Sequence, residues 1–126
     1  MRNIHICLAV CTFVFALTST EASSCGMLSY NVDDARTKLR GAANESSFED
    51  AKDYARRAKS ALDDAAMSAM NCRCEMAYSE FDTAASRARH ARDADSPGEF
   101  GEALNRAIRA FNNAIRELQS CAAHRR

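Results

Sequence analysis

Apolar residues in this chain recur in steps of three and four. Leu28, Val32, Ala35, Leu39 and Ala42 form the first such run. Phe48, Ala51, Ala55, Ala58, Leu62, Ala65 and Ala69 form the second. Ala77, Phe81, Ala84, Ala88 and Ala91 follow, and then Leu104, Ile108, Phe111, Ile115 and Leu118. Steps alternating between three and four keep one face of a 3.6-residue helix apolar. Four amphipathic helices are therefore predicted, and strand signals are absent.

The breaks between the runs have their own chemistry. Gly41 weakens the end of the first run, and Ser46 with Glu49 reads as a capping box for the second. In DADSPGEF (93–100) Ser96 is the expected cap, Pro97 takes the first helical position and Glu99 closes a second box. No Gly or Pro interrupts residues 47–92, so one helix of about 68 Å is allowed there. The apolar stripe nevertheless changes phase at MNCRCEM (70–76). It runs to Ala69 and Cys72 and resumes at Cys74 and Ala77, and a two-residue step turns a helix by about 200°. Two architectures follow. One is an up-down-up-down four-helix bundle. The other is a long central helix with one shorter helix packed on each half, which would dimerise to cover its seams. The bundle shields more apolar surface in a monomer, and alanine-rich seams need close packing, so the all-α bundle is expected.

Cysteine spacing adds a second level of order. Cys25 and Cys72 are 47 positions apart, as are Cys74 and Cys121. At an offset of 49 residues CGMLSYNVDDARTKLRGAANES (25–46) faces CEMAYSEFDTAASRARHARDAD (74–95), with Cys25/Cys74, Met27/Met76, Asp33/Asp82 and Arg40/Arg89 coincident. Alanine matches are cheap in such a chain, but cysteine, methionine and aspartate matches are not. The chain therefore reads as two copies of one helical hairpin, 25–72 and 74–121. Four cysteines allow three pairings. Joining Cys72 to Cys74 needs a strained ring, and the repeat favours Cys25–Cys72 with Cys74–Cys121 over the crossed alternative. Each bond closes a loop worth about 4 kcal/mol in the chain-entropy model.

Composition sets the compartment. Residues 1–22 carry Arg2, an apolar run from Ile4 to Leu17 and a small residue at Ala22, the pattern of a cleaved secretory signal. A lipid anchor at Cys25 fits less well, because ASSC lacks a large aliphatic residue three positions earlier. The expected organisation is a signal peptide, 1–22, and one helical domain, 23–126. Cleavage removes Cys7 and Cys11 and leaves an even cysteine set, as suits a small exported protein. It also removes one charge of each sign from 17 basic and 17 acidic residues, so the net charge stays zero. Neither nucleic acid nor an anionic membrane surface is implied as a partner, and the mature chain needs no membrane span. Abundant arginine and alanine suit a GC-rich bacterial genome, so the chain is expected to be secreted or periplasmic. Asn44-Glu45-Ser46 matches a glycosylation acceptor, which carries no weight in that setting.

Candidate chemistry concentrates at one end. In the bundle Cys25, Cys72, Cys74 and Cys121 share a pole with Met27, Met67, Met70 and Met76. Thioethers and thiolates suit Cu(I), so periplasmic copper binding is the alternative reading. The preferred reading gives the cysteines to disulfides and makes the methionines core-end packing around them. Neither Cys-x-x-Cys nor Cys-x-x-Cys-His is present. His90 and His124 have no partner at a ligand spacing. Asp33-Asp34 and Asp63-Asp64 are adjacent carboxylates pointing different ways, and Asp53/Arg57 and Glu102/Arg106 look like helix-supporting pairs. The expectation is a disulfide-stabilised, non-enzymatic interaction or structural module without a cofactor, acting on another protein, with homodimerisation left open. A carrier of a small apolar ligand is a third reading.

Overall fold

The computed structural model describes residues 25–124, with side chains for residues 25–122. The expected signal peptide, 1–22, lies outside the described residues. Four helices occupy the described chain: α1 (residues 25–44), α2 (Phe48–Asn71), α3 (Glu75–Arg92) and α4 (Pro97–His124). No strand occurs among the described residues.

The helices form a four-membered ring. α2 packs along α3 and α3 along α4, whereas α2 and α4 scarcely touch, as diagonal members of a bundle must. α1 meets α2 through Asn31 Nδ2, which donates to Ser68 Oγ at 2.6 Å. It meets α4 where the Arg36 guanidinium lies 5.5 Å from the centre of the Phe111 ring. Short connections make successive helices antiparallel. The result is the expected up-down-up-down bundle, and the long-central-helix alternative is excluded by the break between Asn71 and Glu75.

The break has a local cause. Arg73 adopts a left-handed conformation, φ 61°. Its N–H donates to Met70 O at 2.9 Å, and Cys74 N–H donates to Ala69 O at 2.9 Å. Those two bonds satisfy the last carbonyls of α2 in a Schellman motif. Glycine normally fills that position, so an arginine there leaves no composition signal of a break.

Alanine supplies most of the buried apolar residues, from Ala35 on α1 to Ala114 on α4. Small side chains let helix axes approach closely, but each buries little area. The larger core members sit at mid-height: Leu62 and Phe81 are fully buried, and Phe111 packs against Phe81 with ring centres 6.1 Å apart. The apolar stripes match the buried faces of α1, α2 and α3. α4 is rotated slightly from its stripe. Ala107 and Ala114 take the innermost positions, with Leu104, Ala110 and Phe111 buried beside them, leaving Ile108, Ile115 and Leu118 half-buried at the flanks. Phe111, central in the fourth apolar run, is buried.

Two local expectations need adjustment. The cap of α2 is Ser47 rather than Ser46: Asp50 N–H donates to its Oγ at 3.4 Å, and its own N–H donates to Glu45 Oε1 at 3.3 Å. Adjacent serines are equivalent in composition, and the helix phase chooses between them. Gly41 lies inside α1 rather than at its end. A Cβ there would stand 2.6 Å from the Tyr54 ring, so its role is to admit that ring. The cap of α4 is as expected, with Glu99 N–H donating to Ser96 Oγ at 3.2 Å; the Glu99 carboxylate accepts from Asp95 N–H at 3.1 Å.

Candidate functional site at the cysteine pole

The Arg73 reversal aims its two flanking cysteines into different hairpins. Cys72 bonds to Cys25 with Cα atoms 5.3 Å apart, and Cys74 bonds to Cys121 at 5.8 Å. This is the pairing that the equal spacings favour. Cys72 and Cys74 are buried, while Cys25 and Cys121 are half-buried at the ends of α1 and α4. One turn further in, Ser68 is a buried polar residue satisfied by Asn31, which also reaches Asp64 O at 3.5 Å. Sequence reasoning missed this cross-link. The available signal was a serine set among Ala65, Ala66 and Ala69 on the inward side of α2.

The methionines do not pack at the end of the core. Met27, Met67, Met70 and Met76 are between 41% and 64% exposed, and Tyr30 beside them is 65% exposed. The reason is angular. Met27 and Met76 each precede an inward residue, Leu28 and Ala77, by one position, or about 100° of helix. Met67 follows the inward Ala65 by two positions, which turns it to the opposite face. These side chains present flexible thioethers to solvent on α1, α2 and α3.

Between the start of α3 and the end of α4 lies an open cleft of about 480 Å³. Cys74 and Cys121 form its floor, and Glu75, Met76, Glu117 and Ser120 stand on its walls. All four cysteines of the described chain are in disulfides, so no thiolate is available at this pole as a soft-metal ligand. Among the described residues no group of three His, Cys, Asp or Glu side chains is placed to hold a metal ion.

The other candidates fall on exposed helix faces. Asp33 pairs with Arg36 at 2.8 Å, Asp34 with Lys38 at 4.0 Å and Asp63 with Lys59 at 2.7 Å. Asp33, Asp34 and Asp63 are thus each held in a separate local pair. Asp53 pairs with Arg57 at 2.8 Å, as expected, and also with Arg56 at 2.7 Å. The Arg56 hydrogen bond, more than any other influence, holds the Asp53 carboxyl below its ordinary range. Glu102 and Arg106 line one cleft without closing to ion-pair distance. His90 is exposed in that same cleft between α3 and α4, and the His124 side chain lies outside those described.

Fold and site together define a class, the small all-helical bundle braced by one disulfide per hairpin. No protein-family model, curated protein or solved structure matches the chain.

Proposed function

We propose that this protein is an exported, non-enzymatic module that acts by binding another protein through its surface, and that its two hairpins are copies of one ancestral unit. The observation carrying the proposal is the exposure of Met27, Tyr30, Met67, Met70 and Met76 around the disulfides, while Phe81, Phe100 and Phe111 are buried. Flexible thioethers and an exposed tyrosine adapt to a partner surface, and an apolar cluster of this kind marks interaction sites. Two disulfides indicate an oxidising environment, which supports secretion or a periplasmic location. No described helix is long and apolar enough to cross a membrane.

The test is recovery of a partner from the surrounding compartment by the mature chain. A variant with Met27, Met67, Met70 and Met76 changed to Gln should keep its melting temperature and lose that partner. Equal recovery by both proteins overturns the proposal. The exposed thioethers also favour a second reading, soft-metal binding. Stoichiometric copper in the natively isolated protein, abolished by Met67→Leu and Met70→Leu, would put that reading first.

A further inference from the structure

The seam that closes α1 against α4 differs in charge from the clefts at the cysteine pole and between α3 and α4. At the cysteine pole Arg73 is set against Glu75 and Glu117, and between α3 and α4 Arg87 and Arg106 are set against Asp93, Glu99 and Glu102. One depression lies in the α1–α4 seam, and a second, lined by α4 residues alone, adjoins it and shares Asn112. Arg36 and Arg40 line one, Arg109 and Arg116 line the other, and neither lining contains a carboxylate. Between the arginines of the first the lining is apolar, with Ile108 half-buried above the buried Leu39 and Phe111.

The arginines are not equivalent. Arg36 is fixed, with its guanidinium over the Phe111 ring at 5.5 Å and paired to Asp33 at 2.8 Å. Arg116 donates to Asn113 Oδ1 on its own helix. Arg40 and Arg109 are exposed and have no carboxylate partner among the described residues. A chain with no net charge thus keeps cationic groups together along α4 and its seam with α1, beside the half-buried Ile108.

We infer that the α1–α4 seam docks an acidic amphipathic segment of a partner protein. Its carboxylates pair with Arg40, Arg109 and Arg116, and an apolar side chain rests on the half-buried Ile108. Arginine suits this task because its planar fork binds carboxylates in bidentate fashion. The apolar lining favours such a segment over a nucleic acid or an anionic membrane, and net neutrality removes the long-range attraction that a polyanion would need. The inference rests on the surface-module reading but uses a different face from the methionine pole.

The probe is a fluorescein-labelled helical peptide with Glu on one face and Leu on the other, titrated into the mature oxidised protein at low salt and read by anisotropy. Binding is expected, weakened at least tenfold by Arg40→Glu with Arg109→Glu and at least threefold by Arg40→Ala with Arg109→Ala. Replacing the peptide leucines by Ser should cost a similar factor, and raising the salt should weaken binding progressively. Unchanged melting curves show that both variants remain folded. Absence of peptide binding, or reversal variants within twofold of wild type, overturns the inference. Single-stranded DNA or phosphatidylglycerol vesicles bound more tightly through the same arginines also overturn it, by replacing the protein segment with that ligand. Absence of peptide binding to the wild-type protein, with partner recovery through the methionine pole intact, rejects this inference and leaves the proposed function standing.

Discussion

At one end of the bundle two disulfides hold the helix termini, and five large apolar side chains face solvent. At the other end packing does the holding. Phe48 meets Phe100 edge to face at 6.1 Å, Ala42 and Ala94 are buried, and Ser47 and Ser96 cap the helices that begin there. The contrast shows what a covalent brace permits. Where cross-links fix the ends, neighbouring side chains are released from packing and become free for contacts outside the molecule. Where only burial fixes the ends, the aromatics must turn inward.

The largest way to break this contrast is to remove the braces. The two loops do not overlap, so their entropic contributions are independent and together reach about 8 kcal/mol. That is comparable to the whole net stability of a small domain. Melting with and without reductant, or of the Cys25→Ser/Cys72→Ser/Cys74→Ser/Cys121→Ser variant, should show a largely unfolded reduced chain. A reduced chain that melts within a few degrees of the oxidised one would mean that alanine packing alone suffices.

Next in size is truncation at the packed end. Phe100→Ala should cost about 3 kcal/mol in denaturant unfolding, whereas Met67→Leu at the braced end should change stability by less than about 0.5 kcal/mol. Similar losses at the two positions would erase the distinction between the ends. Gly41→Ala sharpens it from another side. Alanine is the better helix former by about 1 kcal/mol, but its Cβ would lie 2.6 Å from the Tyr54 ring. We expect a net loss of about 1–2 kcal/mol, with Tyr54 displaced, and Gly41→Ala/Tyr54→Ala should recover the propensity gain.

Arg73→Gly tests the braced end with the opposite sign. Glycine removes the left-handed penalty at φ 61° but adds unfolded-state freedom, so a gain of up to about 1 kcal/mol is expected, read from the shift in denaturant midpoint. The smallest effect belongs to Asp93 near the packed end. Its carboxyl is held below the ordinary 3.8, first by the Arg92 hydrogen bond and then by the charges of Arg92, Arg89 and His90. A lowered folded value adds stability that is complete above the unfolded value and lost as pH falls through the folded one. Asp93→Asn should therefore narrow the difference in stability between neutral and acid pH slightly, below about pH 4. An unchanged acid limb would show that this exposed pair contributes nothing measurable.

Much of the architecture was legible because it depends on periodicity. The 3–4 alternation identified the inward faces of α1 to α3, and the equal cysteine separations identified which sulfurs meet. The junction was legible only as a phase change, since Arg73 occupies a position at which glycine would have announced the turn. The methionines were misjudged because their residue type outweighed their phase. Met67 stands across the helix from Ala65, and that angle alone implies exposure. The alanine-lined rotation of α4 was hidden because Ile108, Ile115 and Leu118 outweigh their smaller neighbours in any reading by hydrophobicity. The α1–α4 arginine seam lay beyond sequence reasoning, as it requires knowing which two helices close the ring.

The arrangement of the two disulfides also decides how the molecule carries a load. Each bond short-circuits its own hairpin, so tension applied at Cys25 and Cys121 passes through two sulfur bridges and the Cys72–Arg73–Cys74 backbone. The four helices hang from that line as slack loops and bear none of the force. With both bridges intact the tethered span is about 18 Å, against more than about 300 Å for the same segment as an open extended chain. In an oxidising setting the bundle is thus a nearly inextensible link, and reduction turns it into a long, compliant one.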